Sequence, residues 1–246
     1  MLSPLDMSVL AADGVILKGT LVYPTGRPGL SHPLVVLAHQ YPATRDSFAP
    51  LVRDLLLAGI ATLAFDQRGH GASIAGPSGS VVVDTPEGVG AEAFGKAFVT
   101  SVGKVGFARI ENDIVRVAGW GASQNYIDSA RLALVGASVG APGALLAAPA
   151  LPGLRAVATL GGAGVPAFGE DAAARVQGAI DRTAAALYFA SSEGDPFDGG
   201  PNVTRWSAGV SRATSRLVPG TAHAMAIYYD VRDDLLAFLR KALGAA

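Results

Sequence analysis

The stretch R-L-A-L-V-G-A-S-V-G-A-P-G-A-L-L, Arg131 to Leu146, decides how the rest of the chain is read. Its first half is an apolar run of the kind that forms a buried strand. Gly136-Ala137-Ser138-Val139-Gly140 then interrupts it as a G-x-S-x-G pentad, and a small, apolar, Ala-rich segment follows. A serine on a sharp strand-to-helix turn projects its hydroxyl clear of the backbone, and small flanking residues relieve the crowding there. The N-terminus of the following helix places amide dipoles beneath developing negative charge. The pentad alone is common by chance; its position between an apolar strand and an apolar segment is what gives it weight.

Outward from this turn, strands and helices alternate. V-I-L-K-G-T-L-V-Y-P (15–24) reads as a strand ending at Pro24, and T-G-R-P-G-L-S-H-P (25–33) as a loop. P-L-V-V-L-A-H-Q (33–40) is a strand covered on both faces. Asp46 or Ser47 is expected to cap a helix whose Phe48, Leu51, Val52, Leu55 and Leu56 recur at helical spacing, with Gly59 ending it. I-A-T-L-A-F-D (60–66) is the next buried strand, so strand–helix–strand implies a parallel pair with a right-handed crossover. A helix is expected from about Arg109 to Ser123, with Ile110, Ile114, Val117 and Ala118 on one face. L-R-A-V-A-T-L-G, A-A-L-Y-F-A-S and S-R-L-V-P continue the alternation, and D-D-L-L-A-F-L-R is an amphipathic closing helix. Residues from about 75 to 108 show no clear period and are expected to form a surface insertion. The expectation is one α/β domain over residues 1–246, with a mostly parallel central sheet and helices on both faces.

Composition narrows the function classes. A chain of 246 residues can bury roughly 70–75% of its unfolded surface, enough for one sizeable core. Half its residues are apolar and its net charge is −1, which excludes a disordered chain and leaves no basic footprint for nucleic acid. It has no cysteine, which removes disulfides, thiolate nucleophiles and cysteine-ligated metals together. Mean hydropathy is +0.37 and residues 132–154 carry no charge, a length able to span a bilayer. Pro142, Pro149 and Pro152 interrupt that run, so a strand, a turn and a buried helix explain it better. The N-terminal M-L-S-P-L-D-M-S-V-L lacks a basic region and contains Asp6, which argues against a signal peptide. A soluble, cytoplasmic protein with no membrane partner is expected.

A serine nucleophile needs a base, and histidine takes and gives protons near neutral pH. Of the four histidines, His32 and His39 precede Ser138 and His70 follows an earlier strand. His223, in P-G-T-A-H-A-M after the last strand, is the best-placed base. The base needs a carboxylate to hold its tautomer. Asp195, in S-S-E-G-D-P-F directly after a strand, is the first choice, with Glu193 and Asp198 as close rivals.

With these residues in place, the sequence resembles the α/β-hydrolase superfamily, in its serine-esterase and dienelactone-hydrolase-like branch. The order Ser, Asp, His is the one found there. D-Q-R-G-H-G-A-S (66–73) resembles that family's D-x-R-G-x-G-x-S turn, which implies structural roles for Asp66, Arg68 and His70. The resemblance also implies an oxyanion hole from the Val139 and Tyr41 amides. There is one departure: where the family usually has His-Gly, this chain has His39-Gln40, followed by Tyr41-Pro42. Glutamine enters positive φ less readily than glycine, and Pro42 has no amide hydrogen. A true dienelactone hydrolase would carry a cysteine nucleophile, and an epoxide hydrolase or dehalogenase an aspartate, where Ser138 stands.

Other patterns weigh little. Gly90 to Lys96 fits G-x-x-x-x-G-K, but Ala97 replaces the hydroxyl that would bind Mg²⁺. Gly162-Ala163-Gly164-Val165-Pro166-Ala167 fits G-x-G-x-x-A, yet Pro166 and its late position suit a strand-end loop better. No His or carboxylate spacing implies a metal, and no cofactor is expected. Trp120 and Trp206 are expected in the core or in a pocket wall. The reading is a serine hydrolase acting on small, short-acyl carboxylic esters through an acyl-enzyme, in an open site without a large cap; the sequence leaves open whether residues 75–108 cover it in part. A peptidase or amidase on the same triad, and a non-catalytic binding protein on this fold, are the alternatives. Activity is expected to fall below roughly pH 6–7, where a histidine base gains its proton.

Overall fold

A computed structural model describes residues 4–24, 31–88 and 90–245, so residues 25–30 of the expected loop and residues 1–3 of the N-terminal segment lie outside it. The strands are β1 (Leu5–Leu10), β2 (Ile16–Val22), β3 (His32–Ala38), β4 (Ala61–Asp66), β5 (Ala75–Gly76), β6 (Gly79–Ser80), β7 (Ile127–Ala137), β8 (Leu154–Leu160), β9 (Ala186–Ser192) and β10 (Ala213–Val218). The helices are α1 (Ala49–Leu57), α2 (Ala91–Ser101), α3 (Ile110–Ala122), α4 (Gly140–Ala147), α5 (Ala172–Arg182), α6 (Gly199–Ser207) and α7 (Tyr228–Leu243).

The strands form one sheet in the order β10-β9-β8-β7-β3-β4-β2-β5-β6, with β1 also on β2. From β10 through β4 every pairing is parallel, whereas β2 runs antiparallel to β4 and to β1. This is the α/β architecture expected. Every residue of β3 and β4 is buried, as continuous apolar runs require when both faces are covered. In β7 the period of two sorts the side chains. Leu132 and Leu134 join the core under α3, α4, α5 and α6, while Ala133, Val135 and Ala137 join the core under α1 and α7. Among the described residues no helix is long and apolar enough to cross a membrane.

Three local expectations are corrected. The cap is neither Asp46 nor Ser47: Thr44 Oγ1 accepts from the Asp46 amide, opening a short 3-10 turn that leads into α1. Gly59 does end α1, at φ 76°. β1 adds an edge strand where no strand was expected. The insertion at 75–108 contains a small hairpin, β5–β6, and an eleven-residue helix, α2.

The D-Q-R-G-H-G-A-S turn after β4 is structural. Asp66 accepts from the Arg45 amide at 2.9 Å, the Ala72 amide at 2.9 Å and Arg45 Nη1 at 3.0 Å. Arg68, 1% exposed, donates through Nε to Asp113 at 2.6 Å and through Nη1 to Asp13 at 2.9 Å. It thereby ties the turn to α3 and to the β1–β2 hairpin. Trp206 is buried and Trp120 packs against the same core.

Candidate active site

Tyr41, Ser138, Asp195 and His223 all follow the carboxyl ends of parallel strands (β3, β7, β9 and β10), the edge of an open α/β sheet where ligands bind. Ser138 has φ +49°, in the left-handed region that a non-glycine residue enters at a cost of about 1–3 kcal/mol. The strain is held by its surroundings. The Ser138 amide donates to Leu160 at 3.0 Å, and its carbonyl accepts from Ala141 at 3.0 Å and Ala163 at 3.2 Å. The two flanking glycines are sterically required. A Cβ on Gly136 would strike the Gly140 carbonyl, and one on Gly140 would strike the Ala38 carbonyl oxygen.

The structure brings the three expected side chains together. His223 Nε2 lies 2.8 Å from Ser138 Oγ, and His223 Nδ1 lies 2.9 and 2.8 Å from the two Asp195 carboxylate oxygens. Asp195 is itself held: Oδ2 accepts from Ser191 Oγ and Oδ1 from the Phe197 amide, both at 2.9 Å. Burial works to raise the Asp195 carboxyl. Hydrogen bonds from His223 and the Phe197 amide, with the His223 charge, outweigh it and keep the carboxyl below its usual range. The rivals Glu193 and Asp198 are exposed, and neither bonds to His223.

The other histidines near this edge are occupied. His39 Nε2 accepts from the Gln67 amide at 2.9 Å and Nδ1 faces the Gln40 carbonyl at 2.9 Å, which ties the ends of β3 and β4 together. Full burial, with His70 alongside, pushes His39 down to about 3 and keeps it neutral. His70 is likewise lowered by burial, and its Nδ1 lies 3.0 Å from the Arg68 carbonyl.

Among the described residues neither the Tyr41 nor the Val139 amide donates to a backbone carbonyl. Gln40 is not among the residues of positive φ, so its replacement of glycine introduces no strain. The Tyr41 hydroxyl donates to the Asp84 carbonyl, and its ring is buried among Phe94, Phe98, Phe107 and His70. The G-x-G-x-x-A segment is the loop after β8: Ala163 donates to Ser138, and the Gly162 carbonyl accepts from Asn202. Among the described residues the Walker-like segment, which opens α2, has no strand before it closer than β6, whereas a P-loop directly follows a strand. Among the described residues no three His, Asp or Glu side chains converge as a metal site requires.

Sequence reasoning missed Ser191, Phe197 and α2. The Phe197 ring lies 4.7 Å from that of His223, and Phe94 of α2 lies 4.9 Å from Phe197. Ser138 itself is 7% exposed. Ser191 could have been found as the small polar residue four positions before Asp195 at the end of β9.

The chain matches the model of the alpha/beta hydrolase fold over residues 33–217 and belongs to that family. Among solved structures it is similar to a dienelactone hydrolase from Anabaena variabilis, at 19% identity and TM-score 0.66, covering 98% of each chain. An esterase from Pyrococcus furiosus is similar at 16% identity and TM-score 0.67, covering 98% of this chain and 94% of that one. The esterase domain of a Rhodothermus marinus protein is similar at 17% identity and TM-score 0.68, covering 98% of this chain and all of that one. At these identities the likeness is one of fold. No curated protein matches the sequence.

Proposed function

We propose that this protein is a serine hydrolase that cleaves small carboxylic esters through an acyl-enzyme intermediate. The observation that carries the reading is the unbroken relay from Ser138 Oγ through His223 to Asp195, every link at 2.8–2.9 Å. Ser138 Oγ attacks the ester carbonyl carbon while His223 Nε2 takes its proton, and Asp195 stabilises the imidazolium that results. Charge on the carbonyl oxygen is met by the amides of Tyr41 and Val139 at the start of α4. The tetrahedral species collapses, the bond to the alcohol oxygen breaks, and His223 returns the proton to that oxygen. Water, deprotonated by His223, then attacks the acyl group; Ser138 leaves with the proton, and a carboxylic acid is released.

The similarity in fold to two structures named as esterases supports an ester substrate. The test is covalent labelling with a fluorophosphonate, together with hydrolysis of p-nitrophenyl acetate. Ser138 is the expected site of labelling, and Ser138→Ala is expected to lose about 10³-fold or more in kcat/KM. An unlabelled parent, or full activity in Ser138→Ala, overturns the proposal.

A further inference from the structure

Helix α2 reaches the triad's surroundings through two aromatic side chains. Its Phe94 and Phe98 are one turn apart and project from a single face. Phe94 packs on Phe197, which packs on the His223 ring. Phe98 reaches the other side: a Cβ on Gly164 would stand 3.0 Å from the Phe98 ring tip and 3.6 Å from the Val139 side chain. Both rings also meet Tyr41, at 5.2 and 5.3 Å between centroids. Their neighbours Tyr41 and Phe107 are buried, whereas Phe94 and Phe98 are half-buried and keep surface available to a ligand. One helix face thus reaches the base through Phe197 at one end and stands beside Gly164, next to Val139, at the other.

Acyl transfer gives these ends different meanings. The leaving oxygen must face His223 Nε2 to receive its proton, so the alcohol part of an ester lies on the His223 side. The acyl part remains bonded to Ser138 and extends away from His223. We infer that Phe94, with Phe197, bounds the alcohol part, while Phe98, with Gly164, bounds the acyl part, so that the enzyme selects neutral esters of short acyl chain. Every side chain in this wall is apolar; the charged residues of α2, Glu92 and Lys96, are exposed on its other side. The inference rests on the esterase reading.

The experiment measures two kcat/KM ratios: p-nitrophenyl octanoate over acetate for the acyl side, and 2-naphthyl acetate over phenyl acetate for the alcohol side. Phe98→Leu should raise the first ratio about tenfold and Phe98→Trp should lower it, both leaving the second within about twofold. Phe94→Leu should raise the second ratio and leave the first. Opposed substitutions keep the test readable if one variant folds poorly, and melting temperature identifies such a variant. Unmoved ratios, or both positions moving the same ratio, in variants still labelled by fluorophosphonate at Ser138 overturn this assignment while the esterase reading stands. A parent that is not labelled overturns the esterase reading itself.

Discussion

Asp195→Asn changes the chemistry of one side-chain group while leaving its shape, and the surroundings dictate how the new amide must lie. The Phe197 N–H, 2.9 Å from Oδ1, can only donate, so the amide oxygen takes that place. The NH₂ then falls at the Oδ2 position, beside Ser191 Oγ, which can accept as well as donate. There it faces His223 Nδ1 at 2.8 Å. A ring protonated on Nδ1 keeps the amide oxygen as an acceptor at 2.9 Å but sets its hydrogen against the NH₂ at 2.8 Å, whereas a ring protonated on Nε2 lets the NH₂ donate to Nδ1 without that clash. The second tautomer wins, and it presents a hydrogen to Ser138 Oγ where a lone pair is needed. The imidazolium also loses its counter-charge, worth roughly 4 kcal/mol for unit charges about 4 Å apart at an effective dielectric near 20, or about 10³ in rate. Together these predict a loss of about 10³–10⁴ in kcat/KM for p-nitrophenyl acetate, with the melting temperature little changed. A folded Asp195→Asn retaining more than a tenth of the parent kcat/KM would refute the tautomer argument.

Three further outcomes follow from the packing. Gly140→Ala forces a methyl against the Ala38 carbonyl, so it should cost several kcal/mol and most of the esterase activity; a melting temperature equal to the parent's would contradict this. Arg68→Leu leaves Asp113, 2% exposed, without its partner and should destabilise by about 3–5 kcal/mol, read as a lowered urea midpoint. Hydrogen bonds from Arg232 and Tyr228, both at 2.7 Å, hold Asp54 down to about 2, below its unfolded value near 3.9. The folded state therefore binds fewer protons there, and the stabilisation is present above about pH 4 and lost as pH falls toward 2. Arg232 is 38% exposed, so solvent screening reduces the effect to about 1 kcal/mol. The gap in melting temperature between the parent and Asp54→Asn should narrow across that window, and a gap that widens would reverse the assigned sign.

The central strands were legible because burial on both faces leaves nearly continuous apolar runs in β3, in β4 and in residues 132–137 of β7. Ser138 and His223 were legible because a strand-end pentad and a histidine after the last strand are rare features of the chain. Asp195 was harder to separate from Glu193 and Asp198, since what selects it, the Phe197 amide and Ser191, operates in three dimensions. β1 escaped notice because only Met7 of its six residues is buried while Leu5 and Leu10 face solvent, so its alternation carries no clear sign. In α2 the Phe94–Phe98 pair was present but diluted by Gly90, Gly95 and Gly103, residues that elsewhere mark loops. The Thr44 cap lost to Asp46 and Ser47 because four neighbouring positions offer three capping side chains, and only the fold chooses among them.

Gly140 rests directly on the Ala38 and His39 carbonyls. Val139 immediately precedes it, and Tyr41 follows that carbonyl pair by two residues. Main chain therefore touches main chain beneath the reaction centre, with no rotatable group in between. Rotamers interconvert on picosecond to nanosecond timescales, but a seam of this kind has no rotamers to exchange. The spacing of the two proposed amide donors is thus set by main-chain contact, although the Tyr41 ring itself packs on the α2 phenylalanines. Under the proposed function, remodelling the helix above would change the ester accepted while this main-chain seam stays in place.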